Sequence, residues 1–221
     1  MNLARRLVAE ALGTAFLLAI VIGSGIMGDR LADGNDAIAL LGNTLATGAG
    51  LVVLILIFGP ISGAHFNPAV TLAEAMCGQL RWGEVSPYVV AQILGAFAGV
   101  AAAHLMFEEP LFFASQHVRT GPAQWWSEFI ATFGLLATIL GCARHRPTVI
   151  PFAVGLYITA AYWFTASTSF ANPAVTLARA ASDTFAGIRP VDAPMFIVAQ
   201  LVGAFAAVGV FGWLFGKDRT P

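Results

Sequence analysis

Two identical runs, Asn67-Pro68-Ala69-Val70-Thr71-Leu72-Ala73 and Asn172-Pro173-Ala174-Val175-Thr176-Leu177-Ala178, stand 105 residues apart. Asn is a favoured helix N-cap, and Pro suits the first helical turn, where its missing N–H would have had no partner anyway. Each Asn-Pro therefore predicts the start of a helix. The apolar stretches that follow, about 68–77 and 173–183, are too short to cross a bilayer and read as half-helices. Their approaches, Ser62-Gly63-Ala64-His65-Phe66 and Ser167-Thr168-Ser169-Phe170-Ala171, are rich in small and hydroxyl residues. This is chemistry for hydrogen bonding, not for breaking bonds. His65, His104, His117 and His145 are scattered, with no nucleophile or carboxylate at triad or ligand spacing, and Cys77 and Cys142 form no metal or redox motif. A membrane hydrolase or metalloenzyme is disfavoured, and nothing requires a cofactor.

Composition tells what must hold these loops. Of 221 residues, 58% are hydrophobic and only 10% charged, against about 25% in a soluble domain, so a soluble globule is excluded. A net charge of −1 without a basic patch excludes a nucleic-acid partner. Six stretches are long enough to span hydrocarbon: 7–27, 38–59, 86–107, 125–143, 149–165 and 194–215. The first carries Glu10 and is longer than a signal-peptide core, which predicts a retained span. Glu10 and Glu128 are the two acidic residues within the spans, and each must face the protein interior and find partners there. With a cytoplasmic N-terminus, the inner segments hold Arg5, Arg6, Arg81, Arg144, Arg146, Lys217 and Arg219, and the outer ones Arg30, Arg119 and Arg189. That bias fits the positive-inside rule and puts both termini in the cytoplasm. Trp125, Trp126 and Trp213 are expected on outward, interfacial faces.

The repeat extends beyond the two runs. Glu10 and Thr14 match Glu128 and Thr132; Ala91-Gln92 with Gly95-Ala96-Phe97 match Ala199-Gln200 with Gly203-Ala204-Phe205. Each half holds three spans, an odd number, so the second must enter from the opposite side. The result is an inverted repeat, 1–110 and 120–221, within one domain covering 1–221. Asn67 and Asn172 should then meet near the midplane, with the positive ends of two helix dipoles converging there. Gly95-x-x-x-Gly99 and Gly203-x-x-x-Ala207 allow close helix packing.

These features resemble the major intrinsic protein family, the aquaporins and aquaglyceroporins, whose signature is a pair of Asn-Pro-Ala boxes on half-helices among six spans. The resemblance covers essentially the whole chain. It implies an all-α membrane channel of six transmembrane helices and two re-entrant half-helices, a homotetramer with one passive pore per subunit, placed in the lipid bilayer of a bacterial inner membrane. It further implies a pore centre at Asn67, Ala69, Asn172 and Ala174, with the carbonyls of 62–65 and 168–171 as acceptors for a single-file solute. Glu10 and Glu128 would support the loops, and His65 would stand in the cytoplasmic vestibule, where a pH-sensitive gate is a second reading.

One position departs from the family pattern. The arginine usual after the second box is Val175 here, which removes a cation, its donors and its bulk. The remaining filter positions map to Thr47, Ser169 and Tyr162, with Ala160 or Ala161 as alternatives in the fifth span. An uncharged, wider filter predicts passage of glycerol, water and neutral metalloid acids such as arsenous acid. Arg179, four residues on and on the same helix face, offers a displaced filter cation and hence a water-selective alternative; a carbonyl-capping or snorkelling arginine is the other reading. Glu74, its counterpart on the cytoplasmic half-helix, is expected to be a vestibule or packing group bonded to a neighbouring span. An ion- or proton-coupled carrier is the rival from another class, since inverted repeats build those too, yet both span carboxylates have structural roles and no relay is left over.

Overall fold

A computed structural model describes residues 1–216. Its eight α-helices are α1 (Leu3–Leu31), α2 (Asp36–Ser62), α3 (Pro68–Met76), α4 (Trp82–Phe107), α5 (Pro122–His145), α6 (Ile150–Phe164), α7 (Pro173–Arg179) and α8 (Ala193–Leu214), with a 3-10 turn at Pro147–Val149 before α6. Six of them, counting the turn with α6, are long and apolar enough to cross a membrane. Four of these, α1, α2, α4 and α5, overrun the apolar stretches that announce them, because polar turns at their ends continue the same hydrogen-bond ladder, whereas α6 and α8 match theirs to within a residue at each end. The second short helix is shorter than its apolar run: α7 ends at Arg179, and the chain to Ser182 turns on 3-10-type bonds. Lys217 and Arg219, counted in the charge bias, lie outside the described residues.

The small-residue pairs act where the repeat places them. A Cβ added at Gly95 would collide with the Ala11 carbonyl of α1, and one at Gly203 with the Phe129 carbonyl of α5. These glycines let α4 lie directly on α1, and α8 on α5, so each half forms a tight pair around which the third span folds. Asn43 ties α2 to α1 through Val21 O at 2.8 Å and Ser24 Oγ at 2.9 Å. Trp126 and Trp213 are exposed as expected. Trp125 is a correction: it turns inward to pack with Phe170, Ile188 and Phe196. At the first turn of α5 that apolar cluster is the alternative to the interface, and it wins this ring.

Candidate functional site

The two half-helices begin as expected. Asn67 and Asn172 are extended N-caps, their Oδ1 atoms accepting from Ala69 N at 2.9 Å and Ala174 N at 3.0 Å. Across the midplane, Asn67 Nδ2 donates to Ala171 O at 2.7 Å, and Asn172 Nδ2 donates to Phe66 O at 2.8 Å. Each amide thus spends one N–H on the opposing loop and keeps a second. Ala69 and Ala174 stand one step back: both are fully buried in the core cluster, and neither lines the cavity that the asparagines do. Their methyl groups allow the two helix starts to approach.

The loops before the asparagines turn through left-handed backbone. Gly63, Ala64 and Phe66 have φ of 93°, 51° and 50°; Thr168, Ser169 and Ala171, each 105 residues later, have 59°, 49° and 47°. Positive φ in a non-glycine residue costs about 1–3 kcal/mol and persists only where surroundings enforce it. Glu10 and Glu128 do that. Glu10 accepts from Ser62 Oγ at 2.6 Å, His65 N at 3.0 Å, Phe66 N at 2.7 Å and Gln92 Nε2 at 2.8 Å. Glu128 accepts from Phe170 N and Ala171 N, both at 2.9 Å, and from Gln200 Nε2 at 2.6 Å. Hydrogen bonds to a buried carboxylate contribute about 1.5–3 kcal/mol each, enough to offset the strained dihedrals. Gln92 and Gln200 also donate to Thr71 and Thr176, closing the same network in each half.

A cavity of about 760 Å³ is lined by Thr47, Tyr162, Ser169, Val175 and Arg179 toward the face away from the termini. It passes Asn67 and Asn172 and reaches His65, Glu74 and Arg144 toward the other face. In the fifth span it is Tyr162, not Ala160 or Ala161, that faces this cavity, its hydroxyl 3.5 Å from Thr47 Oγ1. Ser169 Oγ is buried and has no hydrogen-bond partner among the described residues. His65 Nδ1 lies 3.1 Å from Thr71 Oγ1, whose own proton goes to Asn67 O at 3.0 Å. His65 is therefore the donor, with Nε2 left as an acceptor. Glu74 lines the cavity, but among the described residues its side chain makes no hydrogen bond, so the expected tie to a neighbouring span is absent.

Arg179 is only 2% exposed, so it does not snorkel. Its Nε donates to Ala186 O, and its guanidinium lies over the Phe170 ring, 3.3 Å from the centroid. Sequence reasoning missed Arg119, which it counted only as an outer-loop charge. Arg119 comes from the connection between the two halves, is 8% exposed, and donates from Nε to Gly187 O at 2.8 Å and from Nη1 to Ser167 O at 3.3 Å. Its backbone N–H is held by Asp192 Oδ2 at 3.0 Å, and its guanidinium also lies over Phe170, at 5.1 Å. Burial pushes its pKa down to about 10, against the pull of Glu128 and Tyr162, so it stays protonated at neutral pH. No spacing in the sequence marks it, because its partners are main-chain carbonyls of distant turns.

The major intrinsic protein family model matches residues 1–166 and 145–220. The chain is 60% identical over 218 residues to aquaglyceroporin AqpS of Rhizobium meliloti (strain 1021), covering 99% of this chain and 93% of that protein. It is 33% identical to aquaporin NIP1-3 of Oryza sativa subsp. japonica, covering 98% and 76%. Among solved structures, the aquaglyceroporin from Plasmodium falciparum superposes with a TM-score of 0.75 at 22% identity, over 100% of this chain and 98% of that one, a likeness of fold.

Proposed function

The chain belongs to the major intrinsic protein family, and is therefore a multi-pass membrane channel and not an enzyme; from that premise we propose that its cavity passes small uncharged solutes, glycerol and water among them, down their gradients. The observation that carries this reading is the wall at the level of Thr47 and Tyr162. In the same cavity lining Val175 presents an apolar surface, and Ser169 a buried hydroxyl with no partner among the described residues. A polyol needs both: a face for its carbons and a hydrogen bond to replace one given up to enter. The relative named an aquaglyceroporin supports glycerol as a solute. Neutral metalloid acids such as arsenous acid present hydroxyls of the same kind and fit the same wall.

Within this reading Thr47, Tyr162, Ser169 and Val175 form the filter, and Arg179 supplies its cation one turn beyond Val175. The second N–H groups of Asn67 and Asn172 serve the solute at the centre, with His65 in the inner vestibule. The termini are cytoplasmic, and the subunits assemble as homotetramers, as in the family. A water-selective channel is the second reading, favoured by the buried, cavity-lining Arg179.

The test is stopped-flow permeability of proteoliposomes to water, glycerol and arsenous acid. Val175→Arg should lower glycerol and arsenous acid flux at least roughly tenfold, a barrier increase of about 1.4 kcal/mol, while water flux persists. Water flux alone in the unaltered protein, unchanged by Val175→Arg, would overturn the solute reading in favour of the water-selective one.

A further inference from the structure

Arg179 and Arg119 reach the same place from different parts of the chain. Arg179 stands at the end of α7, and its Nε is held by the carbonyl of Ala186. Arg119 stands in the connection between the halves, and its Nε is held by the next carbonyl, that of Gly187. Both guanidiniums lie over the ring of Phe170. The turn carrying the two carbonyls is closed by Gly187 N donating to Thr184 O at 2.8 Å. Gly187 has no room for a side chain, since a Cβ there would collide with Ser115 Oγ and with Ser182 O. A peptide so confined transmits the position of one arginine to the other.

Arg119 also reaches the backbone that orients the filter hydroxyl. Its Nη1 bonds Ser167 O and approaches Thr168 Oγ1 at 3.4 Å, immediately before Ser169. Among the described residues no carboxylate is paired with its guanidinium. Asp192 holds only the Arg119 backbone N–H and gives its carboxylate to the Arg189 side chain, and Glu128 is committed to Phe170 N, Ala171 N and Gln200. A buried guanidinium held by two carbonyls and a threonine hydroxyl fixes them in turn, because releasing any one leaves a desolvated charge short of a partner.

We propose that Arg119 is a specificity-determining positioning residue of this channel. It acts through the 186–187 peptide and the Phe170 ring to fix Arg179, and through Ser167 to fix Ser169. It touches no solute. The inference rests on the reading of Arg179 and Ser169 as filter residues. The fork of the guanidinium is what the task requires, since its Nε and Nη1 reach two carbonyls 20 residues apart in sequence. A lysine keeps the charge but is a single point that cannot be fixed in that orientation.

The test measures the glycerol-to-erythritol permeability ratio in proteoliposomes for Arg119→Gln, Arg119→Lys, Arg179→Leu and the double variant Arg119→Gln/Arg179→Leu. Erythritol is the bulkier polyol, so a loosened filter lowers the ratio. Arg119→Gln and Arg119→Lys should each lower it on the order of threefold or more, and Arg119→Gln should lower it by less in the Arg179→Leu background, where only the route through Ser167 to Ser169 is left, the non-additivity of residues acting through one another. If Arg179→Leu alone leaves the ratio unchanged, the filter reading of Arg179 falls, and this inference with it. If Arg179→Leu shifts the ratio but Arg119→Gln does not, or shifts it equally in both backgrounds, only the positioning role is overturned. Should Arg119→Gln fail to elute as a folded oligomer, Arg119→Lys carries the comparison, and a wild-type ratio in that variant overturns the need for the fork.

Discussion

At the loop before Asn67, the carbonyl of Ser62 accepts a hydrogen bond from the Tyr88 hydroxyl at 2.9 Å; at the corresponding point before Asn172, the carbonyl of Ser167 accepts from the Arg119 guanidinium. The exchange follows from one missing atom. The counterpart of Tyr88 in α8 is Phe196, which lies under Phe170 at 5.2 Å and has no hydroxyl to give. Arginine fills that role on one side, and the arginine near Tyr88 on the other side is differently placed. Arg6 lies over Tyr88 at 5.1 Å, but its charge is paired with Glu84 at 3.0 Å. Glu84 also binds Arg81, just as Asp192 binds Arg189 in the other half. The two halves thus share a scaffold of acid, arginine and aromatic ring. Only in the second does a further guanidinium, that of Arg119, hold the loop.

The same comparison continues along the cavity. His65 corresponds to Phe170, Ala64 to Ser169 and Glu74 to Arg179, whereas Val70 and Val175 are the same residue. In a chain whose two boxes are identical, the difference between the two ends of the cavity cannot come from the boxes. It comes from the residues that flank them. An imidazole and an acid line the cavity toward one end, and an aromatic ring, a hydroxyl without a partner among the described residues and an arginine toward the other.

The largest effect should come from removing the shared support. Glu10→Ala leaves four donors without their acceptor and Glu128→Ala three, and each buried donor so stranded costs about 1–3 kcal/mol. Both variants should lose most of the folded oligomer in detergent-solubilised size-exclusion chromatography, with Glu10→Ala the worse. Equal losses would show that the extra Ser62 bond at Glu10 carries little.

A smaller effect should separate the two anchors of the loop carbonyls. Tyr88→Phe removes one neutral hydrogen bond, worth about 0.5–1.5 kcal/mol, and leaves Ser62 O short of it. The melting temperature in detergent should fall by a few degrees, roughly 2–4 °C per kcal/mol for a chain of this size, while solute ratios stay at the wild-type value. A shift in the ratios would mean that the inner loop also sets selectivity, and the contrast between the halves would weaken.

Much of this arrangement was legible in the sequence. The apolar stretches marked six spans because a bilayer demands continuous hydrophobic length. The boxes, the two glutamates and the Gln-Gly pairs were readable because the repeat shows each of them twice. Arg119 was not, since it has no counterpart at the same place in the other half and binds backbone, which carries no residue identity. The fifth-span position was ambiguous by count alone, and the packing of α6 against α2, which sets Tyr162 beside Thr47, decides it. Trp125 was misplaced for a related reason: composition says that an indole suits an interface, but not which cluster lies within its reach.

The smallest effect concerns Asp192, which joins Arg119 to the scaffold. It is buried, and burial alone would raise its pKa. The bonds from Arg189 and from Arg119 N outweigh that and hold the carboxyl below its ordinary value. A carboxyl whose folded pKa lies below the unfolded value of about 3.9 stabilises the fold at every pH above that value, and loses the contribution as pH falls from there through the folded value. Asp192→Asn should therefore lower thermal stability at pH 7, and the gap to wild type should close as the pH is taken below about 4. A gap that persisted in acid would show that the substitution acts by shape and not by charge. In that case Asp192 would be no electrostatic counterpart of Glu84, and the two halves would differ in their scaffold as well as in what it carries.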